Sequence, residues 1–366
     1  MAALMSAATA RASAGLALAV VVYASLYPFE GWRDQAPTWG EWWRSPWPKY
    51  WTAWDLWVNW LGYVPLGAAF ASWLGRQQPS WPRAVLAVLL ASAVSFALES
   101  LQSGMVHRVA SNLDWALNTL GALCGVGVMG VALRSSWPQA FSVWRRAHLF
   151  KGAGLMLLVL ALWLLLQLLP MLLPFAVGRL PPQWWDQAAA TVPRWWPQFT
   201  PWVWANWTWP QQAASLVALL AVPAGVLRFT WRDVWSRVAG VWLFLALAVL
   251  LPTLAHAWSY GWSHAGDWLM PPVIESVLMA AALASLLMVL PALLVAWCLF
   301  LALVAQYLGV NALAETGYWT LHWQSFTQGQ FVRWYGLLAW VAVVWPVLTL
   351  ILLVRSRWMT RAQVKA

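Results

Sequence analysis

The stretch that decides how this chain is read is Ala97–Gly121, "ALESLQSGMVHRVASNLDWALNTLG". Glu99, Gln102, Arg108, Ser111, Asp114 and Asn118 crowd into it, yet both flanks are apolar enough to live in lipid. The surrounding chain of 366 residues is 62% hydrophobic and 9% charged, with a mean hydropathy of +0.63. A soluble domain carries about 25% charged residues. Apolar runs of roughly 18 or more residues recur here, and such runs cross bilayers as helices. The alternating ten-residue segments of a membrane barrel are absent. The composition predicts an all-α, polytopic helical membrane protein, in which residues 97–121 are the place where polarity meets the bilayer.

Ten spans are expected: Ser13–Phe29, Leu56–Leu74, Ala84–Leu101, Leu113–Leu133, Gly152–Val177, Gln212–Leu227, Val238–His256, Pro272–Leu290, Ala292–Leu308 and Gly336–Val354. The apolar stretch Pro272–Leu308 is too long for one span, and Pro291 splits it into a hairpin. With the amino terminus in the cytoplasm, the exterior keeps Arg33, Arg44, Lys49, Arg108, Arg179, Arg194 and Arg333. The other 14 of the 21 basic residues fall inside, as the positive-inside rule requires, and both termini are cytoplasmic. The net charge of +10 thus follows from insertion topology and anionic headgroups, and no nucleic-acid motif accompanies it. Cys124 and Cys298 lie inside spans as packing residues, and no metal-binding cysteine pair exists. No cofactor is implied. Ser13–Phe29 lacks a small-residue cleavage site and reads as an uncleaved anchor.

Two membrane domains are expected, 1–135 with four helices and 136–366 with six, joined through the basic, polar connector Arg134–Lys151. The second contains a Trp-rich exterior loop, 178–211. Of the 36 tryptophans, Trp184, Trp185, Trp195, Trp196, Trp202, Trp204, Trp207 and Trp209 concentrate there, as an interfacial belt or as a stacking platform. The same half carries His256, His264, Asp267, Glu275, Glu315 and His322 on its exterior side, without the spacing of a metal motif.

In the first domain Asp55, Asn59 and Gly62 have the same spacing as Asp114, Asn118 and Gly121. On helices each set shares a face. Both sets enter the membrane from outside, each after an outgoing helix that ends in a carboxylate, Glu30 or Glu99. This predicts two hairpin repeats in the same orientation, with a site at the repeat interface. Ser92, Ser95, Glu99 and Gln102 form another stripe. A charge at mid-bilayer costs about 2.5–3.5 kcal/mol on insertion scales, so these stripes should face one another. Gly62, Gly67, Gly121 and Gly125 would allow close approach of the helices. Each residue also has a purely structural reading. Asp55 and Asp114 suit helix N-caps, Asn59 and Asn118 suit interhelical hydrogen bonds, and Arg108 suits a pair with Asp114.

The pattern Asp55-x3-Asn59-x5-Pro65-Leu66-Gly67, followed by Glu99-x2-Gln102-x5-Arg108-x2-Ser111-x2-Asp114-x3-Asn118-x2-Gly121, resembles the VanZ-like family of bacterial membrane proteins. Tyr27-Pro28-Phe29 fits as well. The resemblance covers about the first third of the chain. It implies a small helical domain in the bacterial cytoplasmic membrane, multi-pass and linked to the cell envelope, with a namesake associated with low-level teicoplanin resistance. Partners would be membrane lipids and a lipid-linked or cell-wall precursor.

Three functions stay open. In an outward-facing binding pocket, Asp55, Asn59, Gln102, Arg108, Ser111 and Asn118 would hold a headgroup or precursor. In an enzyme, Glu99 would be the acid or base, Asp114 its partner and Arg108 the grip on an anion. In a transporter or assembly subunit, Glu99 would carry a proton or the cluster would only hold helices together. The topology has a direct test. A reporter active only in the cytoplasm should be active when fused after Ala366, and an active exterior-only reporter at that position contradicts it.

Overall fold

The computed structural model describes residues 7–27, 29, 31–33, 40–51, 53–75, 80–106, 108–168, 174–180, 206–269, 271–312 and 332–364. Its contacts divide the chain into two compact units, Met1–Trp144 with Gly329–Leu337 and Arg145–Gln328 with Leu338–Ala366. Among the described residues the regular structure is helical, with only isolated bridges in place of strands. Glu30, Glu315, His322 and most of the Trp-rich loop fall outside the described residues.

The first unit is built on α1 (Ala7–Leu26), α2 (Ala53–Gly75), α3 (Trp81–Gln102) and α4 (Asn112–Arg134). Its organising contact is backbone against backbone between α2 and α4. A side chain at Gly121 would overlap the Trp60 carbonyl, one at Gly125 the Val64 carbonyl, and one at Gly67 the backbone of Ala122. Only glycine permits this approach. The pairings 60 with 121 and 64 with 125 advance together, so α2 and α4 run parallel and nearly in register with the repeated Asp-x3-Asn-x2-Gly. Gly62 differs from the expectation. A side chain there would meet nothing within 4 Å, because Gly62 sits beside open space.

The ends of α1 and α3 are tied level with each other. Trp32 bridges Met105, Arg33 N–H donates to Gly104 O at 2.8 Å, and Val106 N–H donates to Gly31 O at 2.7 Å. The two hairpins therefore point the same way. Ser111 rather than Asp114 caps α4. Its backbone is extended, and its hydroxyl accepts the Asp114 N–H at 3.3 Å. Asp114 occupies the first turn, where the helix dipole favours a carboxylate.

The stretch expected as a polar connector is largely helix, α5 (Trp137–His148), because Ala140, Phe141, Trp144 and Ala147 recur at helical spacing. The division between the units falls inside it. In the second unit, α6 (Ala153–Leu166) stops well short of the expected Val177, since Pro170 and Pro174 cannot continue a helix. Then come α7 (Trp209–Gly225), α8 (Val234–Tyr260), α9 (Pro271–Leu287), α10 (Ala292–Ala312) and α11 (Val332–Val364). The span containing α7 is 67% buried, which makes it the centre of this unit. The helix breaks between Leu287 and Ala292, where Pro291 lies, so the long apolar stretch is two helices, α9 and α10. Arg237 Nη1 donates to Met288 O at 3.2 Å and Arg228 Nε to Leu290 O at 3.1 Å, answering carbonyls that the end of α9 leaves open.

Among the described residues six helices are long and apolar enough to cross a membrane, and three shorter apolar ones accompany them. Helix α2 has the length, but its tryptophans and Asn59 lower its hydropathy. The chain is a polytopic helical membrane protein. Gly125→Ala should push α2 and α4 apart and cost about 1–3 kcal/mol, read as a lower thermal midpoint in detergent. Gly62→Ala should leave the midpoint unchanged or raise it slightly, since alanine favours a helix over glycine where there is room, and equal losses at the two positions would contradict the packing described.

Candidate functional site

Helices α3 and α4 run antiparallel and are joined by a ladder of polar side chains. At the inner rung, Thr119 Oγ1 and Trp115 Nε1 both donate to Ser92 Oγ, at 3.0 and 3.1 Å. One turn along, Asn118 Nδ2 donates to Ser95 Oγ at 2.9 Å. At the outer rung, the Ser111 backbone N–H donates to Glu99 Oε2 at 2.9 Å. Each rung satisfies groups that lipid could not, which is why the Ser92, Ser95, Glu99 stripe can exist in a span. Glu99 thus holds the start of α4 from inside the domain and is only 4% exposed.

Helix α1 joins this pair through two further bonds. Gln102 Nε2 donates to Ser25 O at 2.9 Å, and Arg108 Nη2 donates to Tyr27 O at 2.9 Å. Both acceptors lie at the end of α1, where the last carbonyls lack intrahelical partners. The α3–α4 segment therefore clasps the end of α1 with an amide and a guanidinium.

Between these helices lies a cavity of about 60 Å³. Its α1 side is Val20, Val21, Ala24 and Ser25; its α2 side is Val58, Asn59, Gly62 and Tyr63. Glu99 and Gln102 come from α3, and Asn118 from α4. The α1 wall is mostly aliphatic, the α2 wall is mixed, and α3 and α4 contribute polar side chains. Asn118 is 4% exposed, and its Oδ1 is buried with no hydrogen-bond partner among the described residues. An orphaned buried acceptor costs about 1–3 kcal/mol, so its place beside a cavity points to a site built to receive a donor.

The eight residues expected at the site separate into two groups. Asn59, Glu99, Gln102 and Asn118 line the cavity. Asp55, Arg108, Ser111 and Asp114 do not appear on its wall. Asp55 and Asp114 hold matching places in the first turns of α2 and α4, both partly buried. Arg108 and Ser111 act on the cavity's neighbours, through Tyr27 and Glu99. Sequence reasoning missed Tyr63 and Ser25. Tyr63 is one helical turn beyond Asn59 and was open to the same stripe argument, whereas nothing in the sequence marks Ser25.

On another side of α3, Trp42 folds in from the segment before α2. Its Nε1 donates to Ser100 Oγ at 3.1 Å, and its ring lies against Phe96 and Trp115 at 5.0 and 6.4 Å. This aromatic cluster packs that side of α3 with side chains.

In the second unit His264 Nδ1 lies 2.8 Å from Asp267 Oδ2, with both side chains exposed. Among the described residues no group of three or more potential ligands converges on a metal position. Glu275 accepts from Trp209 Nε1 at 3.1 Å.

If the Gln102–Ser25 bond helps seat α1, Gln102→Leu should loosen the end of that helix. Amide hydrogen exchange near Tyr27 is expected to rise while the core of α4 stays protected, and unchanged exchange near Tyr27 would contradict the clasp.

No curated protein and no solved structure matches the chain. A family model described as VanZ/LLP1 matches residues 1–133, the span of α1 to the last turn of α4 and the N-terminal third of the chain.

Proposed function

We propose that α1–α4 form a VanZ-like receptor domain in the bacterial cytoplasmic membrane, whose cavity takes the polar group of an envelope lipid or a lipid-linked cell-wall precursor. The supporting observation is the convergence of Asn59, Glu99, Gln102 and Asn118 on one small cavity with an aliphatic α1 wall. At roughly 10–15 Å³ per water on this scale, the cavity holds a handful of waters or one small polar group. It is a socket for part of a ligand, and the aliphatic wall suits the start of a chain. In this reading the protein has ten spans with both termini cytoplasmic, so the outer ends of α1 and α3 place the socket toward the cell exterior. By its resemblance, the domain acts in envelope tolerance to glycopeptides such as teicoplanin.

Binding is favoured over acid–base catalysis by the same geometry. Glu99 Oε2 receives the Ser111 N–H, and Asp114, its proposed chemical partner, is not on the cavity wall. The test pairs a lipid readout with a cell readout. The wild-type chain, purified from bacterial membranes, is expected to retain a bound envelope lipid detectable by mass spectrometry and to raise teicoplanin tolerance in its host. Asn118→Leu should insert at normal level, lose most of the lipid and lower tolerance. An Asn118→Leu protein that keeps both would overturn the proposal.

A further inference from the structure

Helix α5 has two unlike sides. Along "WPQAFSVWRRAH", Ala140, Phe141, Val143, Trp144 and Ala147 fall on one arc, Gln139, Ser142 and Arg146 on the opposite one, and Arg145 at the border. Much of the apolar arc is exposed. Phe141 is 43% exposed, Val143 61% and Trp144 40%, and the Phe141 and Trp144 rings stack one turn apart at 5.7 Å. Its last turn carries Arg145, Arg146 and His148.

We infer that α5 is a membrane-surface helix that lays Phe141, Val143 and Trp144 into the acyl boundary and sets Arg145 and Arg146 against anionic lipid headgroups. Two observations choose lipid as the occupant. First, α4 crosses the bilayer and ends at Arg134, and only Ser135 and Ser136 separate it from α5. At about 3.6 Å per extended residue, so short a link starts α5 at the bilayer surface. Second, the stretch from Arg134 to Lys151 contains Arg134, Arg145, Arg146 and Lys151 with no acidic residue. Its complement is a negative surface, and an interfacial helix of this composition lies in the headgroup plane with its apolar face down. The stacked Phe141 and Trp144 rings suit that depth, where an indole keeps its N–H near water.

The experiment uses the full chain with Cys124→Ala and Cys298→Ala, carrying a nitroxide at Val143→Cys or at Ser142→Cys. Each is reconstituted in phosphatidylcholine vesicles with and without phosphatidylglycerol. The Val143 label is expected to be accessible to oxygen and closed to a water-soluble nickel chelate, and the Ser142 label the reverse. Phosphatidylglycerol should draw the Val143 label deeper, and Arg145→Gln with Arg146→Gln should abolish that difference at unchanged helix content by circular dichroism. Equal nickel access at both positions overturns the inference. So does a Val143 label shielded from both reagents, which would assign the face to a protein partner or a second copy. A Val143 label whose depth ignores lipid charge overturns the headgroup part.

Discussion

The first unit depends on one contact, the near meeting of two helix backbones at Gly67, Gly121 and Gly125. In lipid there is little hydrophobic force to press helices together, so association rests on close packing and on hydrogen bonds. Glycine serves the first of these by letting α2 and α4 touch through carbonyls and α-carbons. Such an approach has a consequence for everything around it. With α2 and α4 locked in parallel register, the two Asp-x3-Asn stripes stand at matching depth, and α1 and α3 are left to pack on the outside of the pair.

The polar ladder supplies the second force. Ser92, Ser95 and Glu99 on α3 meet Thr119, Trp115, Asn118 and Ser111 on α4, so that most of the polarity in the opening stretch is consumed in holding the domain together. What remains is instructive. The Asn118 amide uses its Nδ2 on Ser95 and leaves Oδ1 without a described partner next to a cavity. A domain selected for stability alone would fill that space, as Trp42, Phe96 and Trp115 fill the region on another side of α3.

The helical membrane class, the helix break at Pro291 and the Asp-x3-Asn-x2-Gly repeat were all legible in the sequence, because hydropathy, proline and spacing act locally. The fine sorting of the site was not. Glu99 and Asp114 look alike as carboxylates near helix ends, yet one is buried on the cavity wall and the other sits in the first turn of α4, a difference set by which way each helix faces. Gly62 and Gly121 hold equivalent places in the repeat, but only Gly121 meets a backbone, since the two copies break symmetry around the cavity. Ser111 caps α4 and feeds its N–H to Glu99, a structural role fixed by loop conformation that its place in the sequence did not reveal. Helix α5 was hidden by its charge, because four basic residues between Arg134 and Lys151 read as loop until its apolar residues are counted at helical spacing.

The central claim is that a glycine-locked α2–α4 pair and the α3 ladder hold open a polar socket. An experimental structure of the chain in lipid nanodiscs tests it most directly. The account predicts α2 and α4 in backbone contact at Gly121 and Gly125, with non-protein density beside Asn118 and Glu99. Helices separated by lipid, or Asn59, Glu99, Gln102 and Asn118 turned apart toward acyl chains, would contradict it.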